Sequence, residues 1–154
     1  MRKRTVLGAL ASLFAGAVVC LAADPNLGTW KLNEAKSKIA PGGTKASTVV
    51  YEEVGDQVKI TVDGIDGTGK AVHSVWTGRY DGKDYPATGD PTGDTRWYKK
   101  VDDRTLEFAT KKDGKAVLTG RVAVAADGKS RTVRTSSTDA SGKKISSVAV
   151  YDKQ

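Results

Sequence analysis

The chain has 154 residues with a formal net charge of +7, one cysteine (Cys20) and one histidine (His73). That inventory excludes a disulfide-stapled scaffold and a metal centre built from clustered cysteine and histidine. Acids and bases are interspersed, as in Lys99-Lys100-Val101-Asp102-Asp103, and beyond residue 4 no basic run exceeds two, so a nucleic-acid-binding surface has no support either.

The first element is an export signal. Met1-Arg2-Lys3-Arg4 is a positive start, residues 6–21 are uncharged, small and apolar, and Cys20-Leu21-Ala22 supplies small residues for cleavage. The apolar run falls short of the roughly 20 residues that span a bilayer, and a polar segment follows at once. Residues 1–22 therefore read as a signal peptide cleaved near Ala22, not a membrane-spanning anchor, and the expected location is periplasmic or secreted. A lipid-modified Cys20 is the alternative. A lipoprotein signal wants a small residue before the cysteine and Leu three before it, where this chain has Val19 and Ala17. Cleavage removes three cations and no acid, which lowers the net charge from +7 to +4. It leaves residues 23–154, enough for one domain, expected to be a monomer with its own core.

Residues 29–32 form the first β-prone run of that domain. Residues 33–39 are the only stretch suited to a helix, a turn or two long, with Asn33 as its cap and Pro41 as its stop. Short β-prone runs follow at 47–54, 57–63, 71–80, 85–88, 95–101, 104–110, 116–125, 131–136 and 145–151. In 57–63, Val58, Ile60 and Val62 alternate with Lys59, Thr61 and Asp63, and in 116–125 Leu118, Gly120, Val122 and Val124 share a face. The turns repeat one chemistry: Asp81-Gly82-Lys83, Asp113-Gly114-Lys115 and Asp127-Gly128-Lys129, with Ser141-Gly142-Lys143 as a near relative. Glycine accepts positive φ and aspartate tolerates it, which tight hairpins need. Asp63-Gly64-Ile65-Asp66-Gly67 lacks the oxygen spacing and following Glu of a calcium loop, so it too reads as a turn. Adjacent hairpins with no room for crossover helices predict an all-β fold. The expected architecture is an antiparallel up-and-down barrel of about 8–10 strands, closed because closure removes exposed edges.

Gly28-Thr29-Trp30-Lys31-Leu32 resembles the opening strand of the calycins, the lipocalins and fatty-acid-binding proteins, and Val150-Tyr151-Asp152-Lys153 is similar to the last strand of the latter. The whole chain resembles small secreted bacterial lipocalin-like proteins. The resemblance implies that Trp30 plugs the closed end of the barrel and pairs with a late-strand arginine, for which Arg131 is the candidate. It also has departures. Residues 33–46 are too short for the two-helix lid of the fatty-acid-binding proteins, and their carboxylate-binding arginine position holds Ala149.

No catalytic residues, cofactor or metal ligands are expected. His73 stands without a positioned Ser, Cys or carboxylate motif in the sequence and reads as a half-buried or surface strand residue. Ser74, Trp76, Gly78 and Tyr80 share one face of their run, either as a cavity wall or as filled core with Gly78 at a bend. Trp97 and Tyr98 point to opposite faces. The expected function is non-enzymatic binding of a small apolar or amphipathic ligand, with Trp76, Tyr80 and Phe108 lining the interior and Arg131 or the Tyr80 hydroxyl orienting a polar end. The alternative is a structural or interaction protein of the envelope with a filled barrel and no small-molecule ligand. An enclosed cavity of several hundred Å³, roughly the size of known ligand sites, separates the two.

Overall fold

A computed structural model describes residues 23–139 and 141–154. The segment expected to be a signal peptide, with Cys20, lies outside the described residues. Ten strands follow in chain order: β1 (Gly28–Leu32), β2 (Lys45–Val54), β3 (Gln57–Ile65), β4 (Ala71–Gly78), β5 (Tyr85–Thr88), β6 (Thr95–Asp102), β7 (Thr105–Lys112), β8 (Lys115–Val124), β9 (Ser130–Thr138) and β10 (Lys144–Lys153). Each pairs antiparallel with its chain neighbours, and β10 returns to β1 through Trp30↔Lys153 and Leu32↔Tyr151, closing an up-and-down barrel.

The helix expected near residue 33 is a single 3-10 turn, Glu34–Lys36, whose Asn33 side chain accepts from the Lys36 amide. It ends at Ser37, short of Pro41, because the Ser37 amide closes onto the Glu34 carbonyl and Lys38 then bridges to Val148 of β10. Asp113-Gly114 forms the expected tight hairpin between Lys112 and Lys115, whereas Asp81-Gly82 lies in a longer connection in which Asp81 bridges to Lys99 of β6. Gly82, Gly114, Gly128 and Gly142 all have positive φ, and Asp113 joins Gly114 there at 49°. Aspartates fix the other turns by accepting backbone amides, as Asp81 does from Lys83 and Asp127 from Lys129. β5 is the weak seam, with two residue pairs on each side and Pro86, which has no amide to donate.

In an up-and-down barrel, alternate turns gather at alternate ends. The connections after β1, β3, β5, β7 and β9 form one rim, and those after β2, β4, β6 and β8 form the other. The second end is plugged by the segment that enters β1. Trp30 is fully buried there, and its indole N–H donates to the Asn26 carbonyl at 2.8 Å. The barrel interior around it is packed with Tyr51, Ile60, Trp76, Tyr98, Leu106 and Tyr151. Toward the first end the filling stops.

Candidate functional site: an interior cavity with an arginine at its floor

The unfilled part of the barrel is a cavity of about 360 Å³. That volume lies near the lower end of the roughly 300–1,000 Å³ typical of small-molecule sites. Strand alternation builds its walls, because every second residue of each strand points inward. Val49, Ile60, Val62, Val72, Phe108 and Val122 supply an apolar side. Ser74 of β4, Thr135 and Ser137 of β9, and Ser147 of β10 supply hydroxyls. Gly43, Thr44, Pro91 and Thr92, from the connections after β1 and β5, edge its mouth at the first rim.

Two arginines reach this interior, in opposite electrostatic states. Arg96 of β6 is matched on every side. Its Nη2 donates to Asp90 at 2.6 Å, Nε to Thr110 at 2.8 Å and Nη1 to the Tyr98 hydroxyl at 3.3 Å, with Phe108 beneath its Cζ at 5.3 Å. Burial works against its charge, but Tyr98, Asp90 and Tyr51 outweigh burial and raise its pKa above the ordinary arginine value. Asp90 is held in turn by the amide and hydroxyl of Thr92, which ties the β5–β6 connection to the wall.

Arg131, one residue into β9, is 2% exposed and lies in the cavity lining near the plugged end. Its Cζ stands 4.6 Å from the Trp30 ring centroid, 4.5 Å from Tyr51 and 5.3 Å from Tyr151. Desolvated cation–π contacts of this kind are worth about 2 kcal/mol or more. The rings stabilise the charge without supplying lone pairs, and among the described residues Nε and Nη1 have no hydrogen-bond partner. Among the described residues, no carboxylate forms an ion pair with it. Burial raises the pKa of both flanking phenols. Tyr151 is pushed up to about 12, with Arg131 pulling the other way, and its hydroxyl donates to the Ala46 carbonyl at 3.0 Å. Tyr51 is raised further, first by burial and then by Tyr98.

The comparisons with known proteins reach the fold and stop there. No protein-family model matches the chain, and no curated protein matches it. The chain is similar to a solved structure described as "Structure of EF1p2_mFAP2b bound to DFHBI", at 10% identity over 86% of this chain and 97% of that chain, with a TM-score of 0.51. It is also similar to one described as "Structure of a redesigned beta barrel, mFAP1, bound to DFHBI", at 13% identity over 84% of this chain and 95% of that one, with a TM-score of 0.43.

Of the four residues expected in the site, Phe108 and Arg131 line the cavity and Trp76 and Tyr80 do not. Trp76 does point inward, but at a level where the barrel is full. Its ring packs edge-on against Tyr85 at 5.7 Å and Tyr98 at 4.7 Å, and its N–H donates to the Arg96 carbonyl. Tyr80 leaves the strand altogether, because β4 ends at Gly78 instead of Tyr80. Gly78 admits the rings beside it: a Cβ there would lie 2.6 Å from Tyr85 ring carbons and 2.7 Å from the Trp76 ring. Tyr80 sits toward the plugged end beside Tyr98 (6.2 Å between centroids), its hydroxyl buried and its pKa raised first by burial and then by Tyr51. The arginine that the calycin resemblance pairs with Trp30 is in place.

His73 is on the outer wall. It pairs with Asp63 across β3 and β4 at 2.6 Å, with two-thirds of its side chain exposed. Tyr98 is buried and Trp97 points outward. The hydroxyl side of the cavity was not anticipated from the sequence. Its signal was present in β9, where Arg131, Val133, Thr135 and Ser137 continue one alternation.

Proposed function

We propose that this is an exported, non-enzymatic barrel of the calycin type that holds one small apolar or amphipathic molecule in its interior. The observation that carries the reading is the cavity of about 360 Å³, with an apolar side, a hydroxyl side and a mouth at one rim. Apolar wall supplies most of the affinity, at roughly 25 cal/mol per Å² buried before association costs. The polar groups fix orientation. The same cavity counts against the alternative of a filled envelope interaction protein. Export is supported by the basic, apolar, small-residue start of the chain, and the non-enzymatic role by the position of His73 outside the cavity. The fold suits the role, since the similar structure with the higher TM-score is bound to DFHBI.

Native mass spectrometry of the protein purified from its own envelope tests this reading. A single retained small molecule, released on denaturation, is the expected result. A clean apo mass, together with failure to take up any apolar probe, would contradict it.

A further inference from the structure

We infer that the outer wall of the barrel carries a binding site of its own, a groove across β6–β10 that takes a segment of a linear acidic polysaccharide. It lies on the other side of the wall from the cavity, and it stands or falls independently of the interior-binding reading above.

Register builds the groove. Trp97, Ala109, Thr119, Ser136 and Ser146 lie side by side across five strands, and Lys99, Glu107, Arg121, Arg134 and Val148 form the adjoining line. Both lines belong to the alternation that faces away from the interior, since Tyr98, Phe108, Val122 and Thr135 take the inward positions. Trp97, Thr119, Arg121, Arg134, Ser136 and Ser146 edge an open groove of about 620 Å³. Its charge is unbalanced. Arg121 and Arg134 stand directly opposite each other, a like-charged cross-strand pair that is destabilising by itself. Glu107 answers only one of them, meeting Arg121 at 3.2 Å. Among the described residues, Arg134 and Lys99 join no ion pair. Two cations therefore remain over on this line, and complementarity calls for an anionic partner.

Shape and spacing narrow that partner to a sugar polymer. The groove is open along its length, which suits a chain laid across it better than a molecule enclosed by it. Trp97 offers an apolar ring face at one end, against which the C–H face of a sugar ring stacks. Beyond it, Thr119, Ser136 and Ser146 place one hydroxyl on each of three successive strands. Strands lie about 4.8 Å apart, close to the length of one pyranose unit, whereas an extended peptide repeats one face only every ~6.8 Å and falls out of step. Carboxylates of uronic-acid units on such a chain then meet Lys99 and Arg134 on the adjoining line, where the exposed guanidinium offers paired donors.

The test is calorimetric titration of the protein with a short oligogalacturonate, its neutral methyl ester, an oligoglutamate and an oligo-dT, at about 0.1 M salt, where attraction beyond about 10 Å is screened. Oligogalacturonate is expected to bind at least fivefold more tightly than each of the other three. Arg134→Glu and Trp97→Ala are each expected to weaken it at least fivefold, while Lys115→Glu, the same charge change in the β7–β8 turn outside the groove, leaves it unaltered. Trp97 is half-buried, so amide and indole resonances of the unaltered protein provide a second measurement that needs no variant. Shifts on titration are expected at Trp97, Thr119, Arg134, Ser136 and Ser146. No saturable binding of oligogalacturonate, or shifts confined to other faces, would overturn the site. Equal binding of oligoglutamate or oligo-dT, or equal weakening by Lys115→Glu, would reduce the attraction to net charge and overturn the polysaccharide assignment. Equal binding of the methyl ester would overturn the role of Arg134 and Lys99. None of these outcomes bears on the interior cavity.

Discussion

Trp30 concentrates several contacts in one side chain: full burial, an indole hydrogen bond to Asn26 and the Arg131 guanidinium 4.6 Å from its ring. Trp30→Ala is expected to destabilise the barrel by about 3–5 kcal/mol, the usual cost of emptying a large aromatic site, as measured by denaturant unfolding. A loss under about 1 kcal/mol would mean that Trp30 does not plug the barrel. Residue-level chemistry was legible in the sequence to a definite depth. Alternation tells which face a side chain takes, and it placed Trp76, Phe108 and Arg131 inside. It carries no information about height along the barrel axis. Trp76 and Phe108 both point inward, yet one lies in the filled part and the other on the cavity. Tyr80 was misplaced for a different reason: Gly78 ends β4, and the ring contacts that require glycine there come from Tyr85, seven residues later.

At the level of elements, turn chemistry was the most readable signal. The β7–β8 connection has Asp113 at φ 49° and Gly114 at φ 78°, the two positive values that a two-residue hairpin loop of the primed type needs. A Cβ at Gly114 would meet nothing within 4 Å, so any cost of substitution is conformational, not steric. Gly114→Ala is therefore expected to lower stability by about 1 kcal/mol, with Gly114→Asn closer to neutral, in paired unfolding curves. Equal stability of all three would show that the loop has another conformation. Strand edges were less legible than strand centres. β2 begins at Lys45 and β10 runs to Lys153, beyond the apolar alternation, because Lys45 pairs with Ile65 across the β2–β3 hairpin and Lys153 pairs with Trp30 where the barrel closes. That pairing is a property of the closed sheet and leaves no trace in local composition.

The whole barrel carries a pH limit set by its buried phenols. Burial raises the pKa of Tyr51, Tyr80 and Tyr151 in the folded state, Tyr151 to about 12, while in the unfolded chain they ionise near the ordinary value of about 10. The folded state holds these protons more tightly. Their contribution is full below about pH 10 and is lost as pH rises from there toward the folded values, at about 1.4 kcal/mol per pH unit for each tyrosine. Tyrosinate absorbance and circular dichroism followed together are expected to show these phenols ionising only as the barrel unfolds. Ionisation of all five tyrosines near pH 10 in an intact barrel would contradict the packing of that end.

Fold class and strand count were legible because each strand was bounded by its own turn signal. The cavity was not, because an empty volume is the difference between side-chain bulk and barrel size, and only coordinates supply the second. The most direct measurement of the central claim is titration of a neutral fluorescent apolar probe against the wild-type protein and Ala149→Phe. Ala149 lines the cavity and also belongs to the buried core, so a phenyl ring there takes up cavity volume and the unfolding curve of the variant is recorded beside its binding. The account predicts one saturable site in the wild type and at least tenfold weaker binding in the variant, with unfolding stability retained. No binding by the wild type, or equal binding by a folded Ala149→Phe, would contradict it.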